Sequence, residues 1–299
     1  QPLVGHLGVD PARLAPGGSD WSAEDDVVRA AAALRPVLSA ALEHDTTVHL
    51  VPRSVRWARL APEVLLHALA DPRLDRARVG VRLFSELPEA REQYSAFSRW
   101  AQRRVAEGGA PAEVVIGPGR VAGAERIASI HSGLAVPVIE GREATAAQLL
   151  RLAELALHPA RAASLRPVIA TEDIWVLAAV RERAAQLGSE ELVGVQLRSG
   201  VAPGLAELLA GELSQVRLSL PVVPPQEFAG AIDTLVEAAA EAADPDSAPA
   251  RLEAMLADAT ADAGVAEEAA GEGIGSAPLA YDSSGGRALG VELGAFRAT

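Results

Sequence analysis

Residues 166–197 read RPVIATEDIWVLAAVRERAAQLGSEELVGVQL: a short apolar run, a longer amphipathic stretch and a second short apolar run. In the middle stretch, Ile174, Leu177 and Val180 recur at helical spacing on one face, and Glu182 belongs to the opposite face. Short, almost wholly apolar runs beside such a helix are typical of parallel strands that helices cover. This stretch therefore predicts a strand–helix–strand unit with a buried sheet.

The same alternation extends along the chain. We identify eight strand candidates: Leu3 to Val9, Val48 to Pro52, Val79 to Phe84, Glu113 to Gly117, Val136 to Glu140, Arg166 to Thr171, Leu192 to Leu197 and Val216 to Val223. Helical stretches separate and follow them: Ser22 to Glu43, Ala61 to Ala70, Glu89 to Glu107, Val121 to Ile130, Ala144 to Leu157, Ile174 to Leu187, Leu205 to Leu213 and Pro225 to Ala243. Successive strand–helix units close more readily into a barrel than into an open sheet, and no glycine-rich dinucleotide fingerprint opens the first helix. The sequence predicts an α/β fold, a (βα)8 barrel of the TIM type.

The composition changes after Ala243, where a segment rich in Pro and Asp ends the last helical stretch. We therefore divide the chain into a barrel, residues 1–245, and a C-terminal extension, residues 246–299. The extension holds a helix candidate at residues 250–261 and then an irregular tail rich in Gly, Ala and Glu.

Composition excludes several kinds of chemistry. The chain has no cysteine, which excludes disulfides, thiolate nucleophiles and thiolate-bound metals. All 27 basic residues are arginine, which excludes a lysine Schiff base, and the net charge of −13 argues against a nucleic-acid partner. There is no apolar run long enough to span a membrane, so we expect a soluble, cytoplasmic protein.

Several segments, in one order along residues 3–260, carry a resemblance to a known family. They are VRLSLPVV at 216–223 followed by FAGAIDTLV at 228–236, IATED at 169–173 and VGVQLRSG at 193–200. Together they resemble the last strand and helix, the A-T-H-N turn and the E-F-Q-M-L strand of the proline dehydrogenase family. That family comprises monofunctional enzymes and the corresponding domain of bifunctional proline-utilisation proteins.

The resemblance implies an FAD-dependent oxidoreductase that converts L-proline to pyrroline-5-carboxylate at the C-terminal end of the barrel strands. Three residues match positions that bind the cofactor in that family: Arg142, in place of a lysine, Thr171 and Gln196. In the bifunctional relatives the barrel is joined to an aldehyde dehydrogenase. The resemblance therefore implies a protein partner, an aldehyde dehydrogenase domain or subunit.

The sequence departs from the family at most of the positions that make contacts. The family's R-L-V-K-G-A strand end is VVIGPG at residues 114–119, without a basic residue. Ser219 replaces a tyrosine, Glu172 replaces the histidine of A-T-H-N, and Glu237 and Ala238 replace the arginine pair that binds the substrate carboxylate. Three further polar positions fall on Gly8, Val51 and Phe84.

From these departures we expect no catalytic residues, no FAD and no proline oxidation. The chain is then a structural or partner-binding domain, a pseudoenzyme linked to proline catabolism. The alternative is an active FAD-dependent proline dehydrogenase whose contacts have been replaced. A third hypothesis is a barrel that binds a different small ligand.

The C-terminal strand ends, which form the mouth of such a barrel, are rich in charge. They carry Asp10, Arg53, Glu86, Glu140, Glu172, Asp173, Gln196 and Arg198. Converging carboxylates suit Mg²⁺, but acids are common throughout the chain, so we predict no metal. We prefer a closed salt-bridge cluster in which Arg53 and Arg198 neutralise the acids. The histidines are scattered without a metal or catalytic spacing, which predicts no catalytic histidine.

Overall fold

The computed structural model describes residues 5–17, 20–198, 203–213 and 215–221, the single residues 232 and 236, and residues 289–294. The strands are β1 (His6–Val9), β2 (Thr47–Leu50), β3 (Val79–Phe84), β4 (Ala112–Gly117), β5 (Leu165–Ala170), β6 (Gly194–Arg198), β7 (Gln215–Pro221) and β8 (Leu289–Gly294). The helices are α1 (Pro11–Leu14), α2 (Ala23–Glu43), α3 (Val55–Ala68), α4 (Ala90–Ala106), α5 (Ala122–Ser132), α6 (Arg142–Ala156), α7 (Pro159–Ala162), α8 (Ile174–Leu187) and α9 (Pro203–Glu212). Short 3₁₀ helices lie at Asp20–Ser22, Pro72–Leu74 and Glu190–Leu192.

Seven parallel strands, β1 to β7, pair in chain order and form a curled sheet. The eighth strand, β8, pairs in parallel with β1 on one side and β7 on the other, so the strand order closes. Glu292 of β8 lies opposite both His6 and Ser219 in the register. The predicted α/β class, with a parallel sheet of the barrel kind, is confirmed.

Two parts of the predicted strand order are wrong. The candidate at Val136 to Glu140 is not a strand, and β4 pairs directly with β5. Pro137 has no N–H for a sheet ladder, and the N–H of Ile139 donates instead to the carbonyl of Glu86 at 2.7 Å. The last predicted strand is consequently the seventh, and the closing strand comes from a segment that the sequence assigns to the irregular tail.

The helices cover the outside of the sheet. Val48 and Leu50 of β2 belong to the core between sheet and helices, so His49 between them turns to the inside. Inside the ring, the described residues form a small apolar group of Val115, Val168 and Ala170. Branched apolar side chains dominate the interior of most such barrels, whereas much of this interior is polar.

The structure describes some of the predicted helices and almost none of the C-terminal ones. The predicted helix at Ile174 to Leu187 has the bounds of α8. Of the predicted helices at 225–243 and 250–261, the structure describes only residues 232 and 236, both helical, and the domain division at residue 245 stays a prediction. Within the described part of the chain, each helix is too short or too polar to cross a membrane.

Candidate functional site

Glu172 is the best-connected acid at the mouth. It follows β5, and its carboxylate accepts three hydrogen bonds from Arg198 at the end of β6: from the backbone N–H at 3.2 Å, from Nε at 3.0 Å and from a terminal nitrogen at 3.3 Å. Arg120, which follows β4, donates to the same carboxylate at 3.1 Å. The Glu172 side chain is 13% exposed. Two guanidinium groups therefore share one carboxylate of the chain itself, which balances the charge of one of them.

Thr171, Asp173 and Arg142 form the adjoining part of the mouth. The Thr171 hydroxyl accepts the N–H of Asp173 at 3.1 Å, and Asp173 Oδ1 caps α8 by accepting the N–H groups of Trp175 and Val176. Arg142, the first residue of α6, contacts Asp173 Oδ2 at 3.3 Å. Thr171 and Asp173 thus shape the turn, and Arg142 is paired with an acid.

Side chains at the end of β3 pack against and hydrogen-bond to the segment that follows β4. Both carboxylate oxygens of buried Glu86 lie 2.8 Å from the N–H of Gly119. The ring of Phe84 is fully buried over the same residue, and a Cβ at Gly119 would lie 2.5 Å from ring atoms of Phe84. Arg82 donates to the carbonyl of Pro118 at 3.0 Å. The chain's own side chains fill this part of the mouth.

The other residues predicted for the site have different positions. Gln196 is buried in β6, opposite Ala170 and Arg217, and Ser219 is half-buried in β7. Glu237 and Ala238 lie outside the described residues. Gln196 and Thr171 are buried where the strands end, and their role in binding a cofactor stays a prediction.

The predicted salt-bridge cluster forms around Arg198 and not around Arg53. Arg53 is exposed and makes no ion pair with a described residue. Two of the mouth acids serve locally: Asp10 caps α1 through the N–H of Ala12 at 3.1 Å, and Glu140 pairs with Arg126 at 2.8 Å. Arg120 and Arg126, which the sequence reasoning missed, supply the cations that were assigned to Arg53.

A second polar group, which we call the interior cluster, consists of His6, His49, Glu113 and Arg217 and lies near the N-terminal ends of the strands. Glu113 Oε2 accepts Arg217 Nη1 at 2.7 Å, and Oε1 accepts Nη2 at 2.9 Å. His49 Nε2 lies 2.8 Å from Oε2, and His6 Nδ1 lies 4.0 Å from it. The two imidazole rings are stacked, with centroids 5.5 Å apart.

The sequence reasoning missed this cluster, although a signal for it was present. Each member stands at an inward-facing position of a strand, beside apolar neighbours that face the helices. Gly80, between His49 and Glu113 in the register, leaves room for the imidazole, since a Cβ there would lie 2.5 Å from His49 Nε2. A polar residue at such a position in several strands predicts a polar interior.

Burial and charge set the protonation of the cluster. Burial opposes the charged form of Glu113, but hydrogen bonds from His49 and Arg217 outweigh it and hold the pKa of Glu113 well below its usual range. Burial, and then the charge of Arg217, lower the pKa of His6 to about 3. His6 is therefore neutral at neutral pH, and its approach to Glu113 is not an ion pair. Because Glu113 is ionised and can only accept, His49 Nε2 carries the proton between them.

The low pKa of His6 predicts acid sensitivity. Between pH 7 and pH 5 the unfolded chain protonates this imidazole, whose ordinary pKa is 6.5, while the native state does not, so stability falls as the pH falls. At 1.36 kcal/mol per pKa unit, the expected loss is about 2 kcal/mol, and it continues towards pH 3. Urea unfolding at both pH values, with a chelator present, measures it.

The control for this loss is His6→Gln, which removes the titrating group, beside His131→Gln at an exposed histidine. His6→Gln should lose about 2 kcal/mol less than the wild-type chain over the same pH range, and His131→Gln should behave like the wild type. The same pH dependence in His6→Gln as in the wild type contradicts the burial of a neutral imidazole.

The curled parallel α/β sheet with a polar mouth is the architecture of TIM-like barrels. A model of the proline dehydrogenase family matches residues 11–247 of this chain. The chain therefore belongs to the proline dehydrogenase family, as the sequence resemblance predicted. No curated protein matches the chain.

Solved structures with a similar fold include three forms of proline utilization A. The protein from Corynebacterium freiburgense is 21% identical, with a TM-score of 0.72, over 82% of this chain and 25% of that one. The protein from Bdellovibrio bacteriovorus, inactivated by N-propargylglycine, is 20% identical, with a TM-score of 0.65, over 83% and 24%. A mutant from Bradyrhizobium japonicum is 21% identical, with a TM-score of 0.68, over 82% and 24%. This chain thus shares their fold and spans about a quarter of their length.

Proposed function

We propose that this chain is a (βα)8 barrel of the proline dehydrogenase family that does not oxidise proline and that serves as a structural or partner-binding domain in proline catabolism. The observation that carries the proposal is the charge pairing at the mouth. Glu172, at the position of the family's A-T-H-N histidine, accepts hydrogen bonds from Arg198 and Arg120. A flavin site at this end would need those cations for its phosphates and ring.

The residues present do not fit FAD. The cofactor carries a diphosphate, and the mouth arginines Arg120, Arg142 and Arg198 are already paired with acids of the chain. Glu86 occupies the N–H of Gly119 with both of its oxygens, where a phosphate or flavin oxygen would otherwise find a donor. Bringing an anion close to these carboxylates is unfavourable, the more so in a partly buried mouth.

The proposed partner is an aldehyde dehydrogenase domain or subunit. Two observations support it: the chain belongs to the proline dehydrogenase family, and it spans about a quarter of the proline utilization A structures that it resembles. A barrel without its own redox chemistry still presents the outer surfaces of its helices for assembly. The partner, and not this chain, would then carry out a step of proline breakdown.

One set of observations favours the alternative, an active FAD-dependent enzyme that oxidises L-proline. Thr171 and Gln196 match the family and lie buried at the strand ends, and Arg142 lies at the first turn of α6 beside the mouth. If these residues hold a flavin, the ion pairs of Glu172 and the hydrogen bonds of Glu86 to Gly119 must break. The two functions therefore differ in whether the chain retains FAD.

The test is to incubate the purified chain with excess FAD, remove free cofactor by desalting and record the visible spectrum and the thermal midpoint. We expect a colourless protein with an unchanged midpoint, since a ligand that does not bind the native state does not stabilise it. A flavin-binding proline dehydrogenase domain treated in parallel is the positive control. A flavin band in proportion to protein, with a raised midpoint, overturns the proposal.

A further inference from the structure

The interior cluster has the composition of a transition-metal site. His6, His49 and Glu113 each offer one ligand atom, and these atoms lie within 4.8 Å of one another. Two imidazoles and one carboxylate are a donor set that suits Zn²⁺, whereas Mg²⁺ prefers oxygen ligands alone. The chain has no cysteine to compete for such a metal.

Within the part of the chain that the structure describes, the cluster offers ring nitrogens without a hydrogen-bond partner and an ionised carboxylate. The imidazoles of His6 and His49 lie in the barrel with buried Nδ1 atoms that have no hydrogen-bond partner among the described residues. Glu113 is ionised. His49 Nε2 carries the proton of its hydrogen bond to Glu113, so metal binding at this nitrogen requires that proton to leave it.

The distances are close to those of a bound metal. Ligands at about 2.0–2.1 Å from a tetrahedral Zn²⁺ lie roughly 3.3 Å apart. The observed separations from Glu113 Oε2 are 2.8 Å to His49 Nε2 and 4.0 Å to His6 Nδ1, one shorter and one longer than that value. The His6 side chain, at the first residue of β1, is 17% exposed, so the cluster is reached from the N-terminal end of the barrel.

The surroundings hold the ligands in place. Gly80 admits the His49 imidazole over β3, and Arg217 fixes the Glu113 carboxylate by two hydrogen bonds. A metal on Oε2 would leave Arg217 on Oε1, as an outer partner that orients the ligand. The positive charge of Arg217 opposes a second cation, so the affinity should be moderate and not that of a cysteine-rich zinc site.

We propose that His6, His49 and Glu113 bind one Zn²⁺ at the N-terminal end of the barrel, with water as the fourth ligand, and that this ion ties β1 to β2 and β4. TIM-barrel enzymes carry their chemistry at the opposite, C-terminal end, so the metal's role is structural. The proposal does not depend on whether the mouth binds FAD.

The test is equilibrium dialysis of the untagged, chelator-treated chain against Zn²⁺, with the variants His6→Gln and His49→Gln. The matched control is His131→Gln at an exposed histidine outside the cluster. We expect one Zn²⁺ per chain in the wild type and in His131→Gln. Both cluster variants should bind at least about 100-fold more weakly, because even outer partners of metal ligands are worth about 10–100-fold in affinity.

Two results overturn the proposal: no stoichiometric Zn²⁺ in the wild-type chain, or wild-type affinity in either cluster variant. Circular dichroism with chelator verifies that each variant is folded. If His49→Gln does not fold, the partly exposed His6 carries the test, since His6→Gln keeps the pair of Glu113 and Arg217 intact. Co²⁺ substitution gives a second readout, because its visible bands should appear in the wild type and vanish in His6→Gln.

Discussion

Replacing Arg217 with methionine should lower the free energy of unfolding by about 3–5 kcal/mol, the usual cost of removing one partner from a buried ion pair. Arg217 is the cation that holds Glu113 by two hydrogen bonds, and its side chain is only 6% exposed. Without it, the Glu113 carboxylate keeps only its hydrogen bond with His49. Urea unfolding at neutral pH with a chelator measures the loss.

The control for this change is Arg183→Met, which removes an exposed pair with Glu154 and should cost about 1 kcal/mol or less. In the double variant Arg217→Met with Glu113→Leu, no carboxylate is left unpaired, so part of the stability should return. A loss in Arg217→Met no greater than that in Arg183→Met contradicts a buried, mutually dependent pair.

Replacing Gly80 with alanine should cost about 3 kcal/mol, at the upper end of the cost of overpacking a core. The added methyl group would overlap the fully buried imidazole of His49 and lie 3.2 Å from the carbonyl oxygen of Glu113. The ring cannot move away without giving up its hydrogen bond to Glu113. Chemical unfolding of Gly80→Ala against the wild type measures the effect.

Gly123→Ala is the matched control, because a Cβ at this helical glycine of α5 meets no atom within 4 Å. That change should be neutral or stabilise the chain by about 0.5–1 kcal/mol. In the His49→Ala background the overlap disappears, so Gly80→Ala should then cost little. An equal cost in both backgrounds shows that the imidazole is not what the methyl group meets.

Local signals explain which elements the sequence could predict. The bounds of α8 were predicted correctly because Asp173 caps its first turn and Gly188, at φ 63°, ends it in the left-handed region that glycine favours. The start of α3 was placed six residues late, since Ser54, whose hydroxyl accepts the N–H of Trp57, was not identified as the cap.

The strand at Val136 to Glu140 was predicted from apolar composition alone, and the missing N–H of Pro137 decided against it. Whether an apolar run joins a sheet depends on which groups form hydrogen bonds with its backbone. Here the N–H of Ile139 donates to the carbonyl of Glu86, which is not in a strand. The closing strand β8 is separated from β7 by a long segment. The sequence reasoning assigned its residues to the irregular tail.

The mouth was predictable from the rule that parallel strands end together, and that rule correctly placed Glu86, Glu172 and Arg198 at one end. Which arginine pairs with which acid was not predictable, because loop conformation decides it. The interior cluster was missed because its members lie on four strands that are far apart along the chain. Their meeting depends on the register that places Gly80 between His49 and Glu113.

The central claim is that this member of the proline dehydrogenase family does not oxidise proline. The most direct test is to add L-proline anaerobically to the FAD-treated, desalted chain and to follow flavin absorbance, with an artificial electron acceptor in a parallel aerobic assay. We expect no flavin to bleach and no acceptor to be reduced above a buffer control. Proline-dependent bleaching in proportion to protein, with steady turnover of the acceptor, would contradict the account.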